Sequence, residues 1–330
     1  VCYACGATPR GATREATTPL LPLPLRARRP FAEIPADPRP TALIRGSHYW
    51  TGNERSLHLW HQAVAGRGGA YLGVGTDQNY VLAGWARSQF VVIVDFDQSV
   101  VDLHAVYRVF FDHAQTPARF CECWSDEWRE HATALLQERL AHSPDVGRIV
   151  RAFRMAQPLV RERLFHLRGL VHRQALPSFV EDAAQYDHVR RLFADDRVVV
   201  LRGDYSGDDT LLGVAAALRA ADLRLGVVYL SNVEQYLEYT PAFRRNFLAL
   251  DLDPDAVVIR TLGWRVFGYA PGERYHYNVQ AATGFADWMR HSTVRRLPEL
   301  LKFRTKTAET GLSVLDCVPT RSELGPVISG

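Results

Sequence analysis

The chain holds almost no lysine: Lys302 and Lys306 are the only two among 39 basic residues, and the rest are arginine. That skew reads as genomic bias rather than function. Net charge is small as well. With 36 acidic residues the formal charge is +3, which excludes the strongly basic class that grips nucleic acid or anionic membranes by charge alone. No run of about 18 apolar residues occurs, so no transmembrane segment is expected. Cysteine is scarce, since Cys2, Cys5, Cys121, Cys123 and Cys317 are too few and too scattered for a disulfide framework. Cys2-x-x-Cys5 and Cys121-x-Cys123 form a poor zinc set because of the second spacing, so unpaired thiols are expected and no metal is assigned. There is no internal repeat.

Apolar content, by contrast, is ample. At 330 residues, 47% hydrophobic and 23% charged, the chain can bury a core between one large domain and two ordinary ones in size. Residues 1–40 are rich in Pro and Arg, lack apolar periodicity, and read as an irregular arm or linker. Cys2-Tyr3-Ala4-Cys5-Gly6 faintly resembles the end of a bacterial lipoprotein signal, in which Cys5 would carry a lipid anchor to the cell envelope. An ordinary flexible N-terminus on a cytoplasmic protein is the favoured alternative.

Beyond residue 40, strand and helix patterns alternate. Residues 47–65 read as a helix with Leu57, Trp60, His61 and Val64 on one face, then 70–74 as a strand, 77–87 as a helix and 90–95 as a strand. A helix follows over 99–113, with Val100, Leu103, Val106, Tyr107, Phe110 and Phe111 on its buried face. The stretch from about 116 to 195 loses the alternation and reads as an inserted helical subdomain. Strands are expected again at 197–201, 225–230 and 256–262, with helices at 208–221 and 240–250. Two further extended runs, 264–269 and 274–279, are joined by Ala270-Pro271-Gly272-Glu273, a hairpin signal. The expected fold class is α/β, with a Rossmann-like, mostly parallel sheet closed by an antiparallel hairpin. Residues 41–290 form that domain, and residues 291–330 a C-terminal extension.

The densest signal is Gly73-Val74-Gly75-Thr76-Asp77 after the first strand, with Asp95 ending the second strand twenty residues beyond Gly75. Glycines let a backbone pass close to a ligand, and an acid at a strand's carboxyl end can accept from both ribose hydroxyls. Thr76, Asp77, Gln78 and Asn79 open a helix. One cap needs one such residue, so a ligand role is favoured for this group over simple capping. Asp97 divides evenly between ligand contact and helix capping. Asp204, in the loop after the third strand, and Ser231, after the fourth, stand where ligands meet open sheets. Asn232, Glu234 and Tyr236 are the candidates for positioning an acceptor or taking its proton.

In order and spacing, residues 65–280 resemble a class I S-adenosylmethionine-dependent methyltransferase. The resemblance implies that Gly73 and Gly75 approach the cofactor, that Asp95 holds the ribose, and that Asp204 nears the adenine amino group. The fourth strand would deliver Ser231 and Asn232 toward the methyl group, and the inserted helices would cover the acceptor. Tyr71 stands where the family has an acid, and Asp77 where it has a third glycine. An acid on this loop requires a positive partner, such as a methionine amine or sulfonium. The run from Gly73 to Tyr80 also resembles one in a bacterial family of uncharacterised proteins, which implies no activity. Two alternatives stay open: a non-catalytic, methyltransferase-like envelope lipoprotein, and an NAD- or nucleotide-binding enzyme. The terminal antiparallel hairpin argues against the second.

The remaining features have bland explanations. Seven arginines between Arg148 and Arg173 read as an exposed helical face, and no nucleic-acid binding is expected. His48, His58 and His61 are too few for a metal site. Cys121 and Cys123 lack an assignable base, so packing is the better account of both. Acceptor and oligomeric state are not legible in the sequence.

Overall fold

The run Phe90–Asp95 is almost entirely β-branched and apolar, as a strand covered on both faces must be. In the computed structural model, which describes residues 25–317, the strand-forming stretches assemble into one eight-stranded sheet. Its strands are β1 (Ala70–Gly73), β2 (Phe90–Asp95), β3 (Val198–Arg202), β4 (Leu225–Tyr229), β5 (Leu252–Leu262), β6 (His276–Ala281), β7 (Thr305–Lys306) and β8 (Leu312–Leu315). The order is β3-β2-β1-β4-β5-β6-β8-β7, and the first five strands are parallel. The chain leaves β1 toward β2 and β3 and later returns to β1's other side as β4. The strand order therefore reverses between β1 and β4, and at such a reversal the strand ends leave a crevice.

Local signals set the helices that cover the sheet. These are α1 (Leu25–Ala32), α2 (His58–Val64), α3 (Gln78–Ala86), α4 (Gln98–His113), α5 (Pro117–Glu122), α6 (Arg129–Arg139), α7 (Val146–Gln174) and α8 (Ala183–Ala194), then α9 (Thr210–Ala220), α10 (Pro241–Leu248), α11 (Ala282–Met289) and α12 (Leu297–Leu300). Asp97, Thr116, Asp182 and Thr240 each cap a helix by accepting a backbone N–H, and Pro117 and Pro241 take first-turn positions. All nine residues of α3 are buried, polar Gln78 and Asn79 included. Helices α5–α8 fill the stretch expected to be helical, and α7 packs along α4. Among the described residues, no helix is long and apolar enough to cross a membrane.

Three expectations are corrected. The antiparallel partner of β6 is β5 itself, paired from Val257 with Ala281 to Leu262 with His276, while Arg265–Phe267 forms a 3-10 turn. Residues 264–269 lie in the connection because β5 runs long enough to use its own edge. Nor does that pair close the sheet, which continues through β8 and β7. Lastly, helix α2 starts only at His58, so most of the helix expected over 47–65 is irregular chain.

The arm is also more than a linker over its described part. Phe31 of α1 lies in the core with its ring 4.6 Å from that of Phe90. Buried Asp37 accepts the backbone N–H groups of Asp204 at 2.9 Å and Asp209 at 3.0 Å. Burial would raise its pKa, but these bonds outweigh that and hold it below the ordinary carboxylate value. Cys2 and Cys5 lie outside the described residues.

Candidate functional site

A cleft opens at the carboxyl ends of β1, β2 and β4. Gly75, Asp95, Asp97, Ser231 and Asn232 line one side. The other side is the irregular segment that precedes α2, with Ile44, Ser47, Tyr49 and Thr51 to Glu54. Two clamps set that segment. His48 meets Asp97 at 2.7 Å, and the N–H groups of Arg55 and Ser56 reach Glu273 at 3.1 Å and the Tyr277 hydroxyl at 3.0 Å.

The turn after β1 is stitched internally. Gly75 adopts φ +77°, which favours glycine, and its N–H donates to Asp95 at 3.1 Å. Asn79 ties the turn from below, donating to the carbonyls of Val74 and Thr76 at 2.9 Å each while accepting from the Tyr71 hydroxyl at 3.1 Å. Gly73 has a packing role, because a Cβ there would stand 2.0 Å from the Asn79 Oδ1. His104 bonds the Gly75 carbonyl at 2.8 Å, and burial lowers its pKa to about 4, so a neutral ring holds the turn.

Two acids of the cleft are buried with neutral donors only. Asp95, on the cleft wall, accepts from the N–H groups of Gly75 and Asp97, the latter at 2.8 Å. Burial pushes its carboxyl up to about 7, the neighbouring Asp97 charge adding to the rise and the two N–H bonds opposing it. Glu54 accepts from the Ser231 hydroxyl at 2.6 Å, the Gln78 amide at 2.7 Å, the Thr261 hydroxyl at 3.0 Å and the Tyr229 hydroxyl at 3.3 Å. Asp97 adds a third carboxylate, and its other oxygen caps α4 through the Ser99 N–H. No lysine, arginine or histidine is among the residues lining the cleft.

Other predicted residues stand elsewhere. Asp77 is fully buried, takes the Gly52 N–H at 2.8 Å, and pairs with Arg163 of α7 at 2.9 Å. The positive partner this acid requires therefore comes from the inserted helices. Burial would lower the Arg163 pKa, but the Asp77 charge and hydrogen bond, with smaller contributions from Glu54 and Tyr229, together more than offset it. The same guanidinium bonds the Gln78 side chain at 2.8 Å and the Glu54 carbonyl at 3.0 Å, so it braces the cleft from beneath. Among the described residues the inserted helices contribute no lining residue; the segment before α2 covers the cleft instead.

Asp204 is exposed and accepts from the Ser206 N–H at 2.7 Å, outside the cleft lining, because Asp37 occupies that loop. Glu234 is fully buried, facing Arg260 at 3.3 Å and accepting from the Tyr239 hydroxyl at 2.7 Å. Burial raises its pKa, with Arg260 opposing, and its place in the core removes it as a base for a ligand in the cleft. Thr76 and Tyr236 do line the cleft, and Tyr236 is 39% exposed at its mouth. Outside the cleft lining, burial raises the thiols of Cys121 and Cys123, the latter to about 12, so neither is an activated nucleophile. His58 and His61 lie outside the lining, with His61 edge-on to Trp85 at 5.0 Å.

Sequence reading missed Glu54, Gln78 as its partner, Tyr229 and Tyr49. Gly52-Asn53 within the expected helix was the available signal for an irregular segment. Gly52 is needed there because a Cβ would fall 1.6 Å from the Gln78 side chain.

Residues 49–316 match the model of a family described as a domain of unknown function, DUF7790, and the chain belongs to that family. The match runs from Tyr49 on the cleft wall to just beyond β8. No curated protein matches the sequence.

Proposed function

We propose that the cleft binds S-adenosylmethionine and that the protein is a methyltransferase whose acceptor enters past Tyr49 and Tyr236. The observation that carries this reading is the acidity of the cleft: among the described residues Glu54, Asp95 and Asp97 line it with no lysine or arginine, and of the three carboxyl groups only Asp97 meets a basic side chain, His48 at 2.7 Å. A ligand bearing an ammonium or sulfonium would relieve that unbalanced charge. A dinucleotide's pyrophosphate would add to it, and the Gly75 N–H it would seek is already given to Asp95. The reversal of strand order between β1 and β4, with Gly75 and Asp95 at its edge, supports a nucleoside in this crevice and a Rossmann-like reading of the sheet.

Bound there, the cofactor would supply a methyl group already activated for transfer. Asp95 would accept from the ribose hydroxyls, which favours its ionised form. Glu54, fixed by four donors, would face the cationic end. Asn232, whose amide reaches toward the Tyr275 hydroxyl at 3.5 Å, and Tyr236 would orient the acceptor, and the wall formed by the segment before α2 would keep water out.

Calorimetric titration of the protein and of Asp95→Ala with S-adenosylmethionine, S-adenosylhomocysteine and NAD tests the reading. The first two should bind the wild type, with affinity reduced about tenfold or more in Asp95→Ala, a loss of roughly 1.4 kcal/mol. NAD should give no heat. A folded protein that binds neither adenosyl ligand ends the methyltransferase reading, while binding undiminished in Asp95→Ala ends only the ribose assignment.

A further inference from the structure

Helix α7 is the longest in the described chain, 29 residues or roughly 44 Å at about 1.5 Å per residue. One side packs on α4 and α6. The other carries Arg151, Arg154, Met155, Pro158, Leu159, Glu162 and Phe165, all exposed. Phe165 is 73% exposed, Met155 52% and Leu159 47%, which is unusual for three large apolar side chains on one helix. Among the described residues, Arg151, Arg154 and Glu162 form no ion pair, although most other arginines of this helix do.

The spacing of these residues is symmetric about Pro158. Arg154 and Glu162 lie four positions to either side of it, and Arg151 and Phe165 lie seven. At about 100° per residue all five fall on one narrow stripe. When two copies of a helix pack antiparallel across a two-fold axis, residues equally far from the axis on opposite sides meet each other. With the axis at Pro158, Arg154 of each copy meets Glu162 of the other, and Arg151 lies over the ring of Phe165. Two ion pairs and two cation–π contacts form, and no like charges are opposed.

We propose that this face of α7 is the contact between two copies of the chain in an isologous, antiparallel homodimer. An anionic bilayer is the other partner that mixed arginine and apolar side chains suit, but Glu162 in the middle of the stripe would be repelled by it. A single helix pair buries less than the roughly 800 Å² per partner of a standard interface, so the dimer is concentration-dependent.

The test is sedimentation velocity over a wide concentration range on the full chain and on Arg154→Glu, Glu162→Arg and the double exchange. Each single reversal sets like charges against each other twice and should weaken association about tenfold or more. The double exchange restores both pairs at unchanged net charge and should restore the dimer. Both positions of the test lie in solvent, so unchanged circular dichroism and melting temperature are expected throughout. A chain that stays monomeric at every concentration overturns the proposal. So does a dimer indifferent to the single reversals. Cosedimentation of monomer with phosphatidylserine vesicles, lost in Arg154→Glu, would assign the face to a membrane instead.

Discussion

Buried acids occur in two settings in this molecule. Asp77 and Glu234 lie in the protein interior, each facing a buried arginine: Asp77 with Arg163 and Glu234 with Arg260. Asp95 and Glu54 are as deeply buried, at 7% and 1% exposure, yet they sit on the wall of the cleft and are held by hydroxyl, amide and backbone N–H donors alone. A buried carboxylate costs several kcal/mol unless it is compensated. Where the chain supplies the cation itself, the acid is structural. Asp37 shows that backbone N–H groups can hold a buried acid without a cation, so the missing cation points to a ligand only where the acid also faces the cleft, as Asp95 and Glu54 do. Asp77 and Asp95 belong to one strand–turn–helix–strand unit, so the difference comes from the three-dimensional placement of arginines and not from any motif.

Several variants would sharpen or break this contrast. The largest effect belongs to the interior pair. Arg163→Leu leaves Asp77 buried without a partner and should cost about 3–5 kcal/mol of stability in urea unfolding. Adding Asp77→Leu to it should recover most of that loss. If the single variant is as stable as wild type, the pair is not structural.

Next comes the titration of Asp95. Its folded pKa of about 7 exceeds its unfolded value, so the folded state favours the protonated form. The stability this provides is fully present below about pH 4 and is lost as pH rises through 7, by at most roughly 4 kcal/mol. Comparing unfolding of wild type and Asp95→Asn across that range should show the slope in wild type alone. Affinity for S-adenosylmethionine should move the other way, strengthening by about tenfold between pH 6 and 8 as the carboxyl ionises.

A smaller loss is expected for Glu54→Gln. This variant removes a carboxylate that accepts hydrogen bonds from neutral donors alone, so it should weaken S-adenosylmethionine about tenfold while changing stability less than Arg163→Leu does. The smallest effect is at Asp204, where Asp204→Ala should leave binding within about twofold, because this exposed acid bonds only its own turn.

Much of this could be read from the sequence, and the failures have physical causes. Parallel strands such as Phe90–Asp95 announce themselves through unbroken β-branched runs, and Asp97 and Thr116 mark helix starts by local capping. The pairing of Asp77 with Arg163, 86 residues apart, has no local signature. The same holds for Asp37, which takes the loop assigned to Asp204 from 167 residues away. Glu54 was hidden for another reason. Leu57, Trp60, His61 and Val64 carry a helical period that was extended backward into a segment whose conformation is set by contacts with β4, β5 and β6. Gly75 and Asp95 were found because the turn and the acid are local consequences of a strand–turn–helix unit.

The charge of the cleft is the centre of the account, and side-by-side titration of wild type and Glu54→Gln at pH 8 with S-adenosylmethionine and NAD tests it most directly. The prediction is measurable binding of S-adenosylmethionine, weakened about tenfold in Glu54→Gln, with no binding of NAD to either protein. Binding of NAD to the wild type, or S-adenosylmethionine binding that Glu54→Gln leaves unchanged, would contradict it.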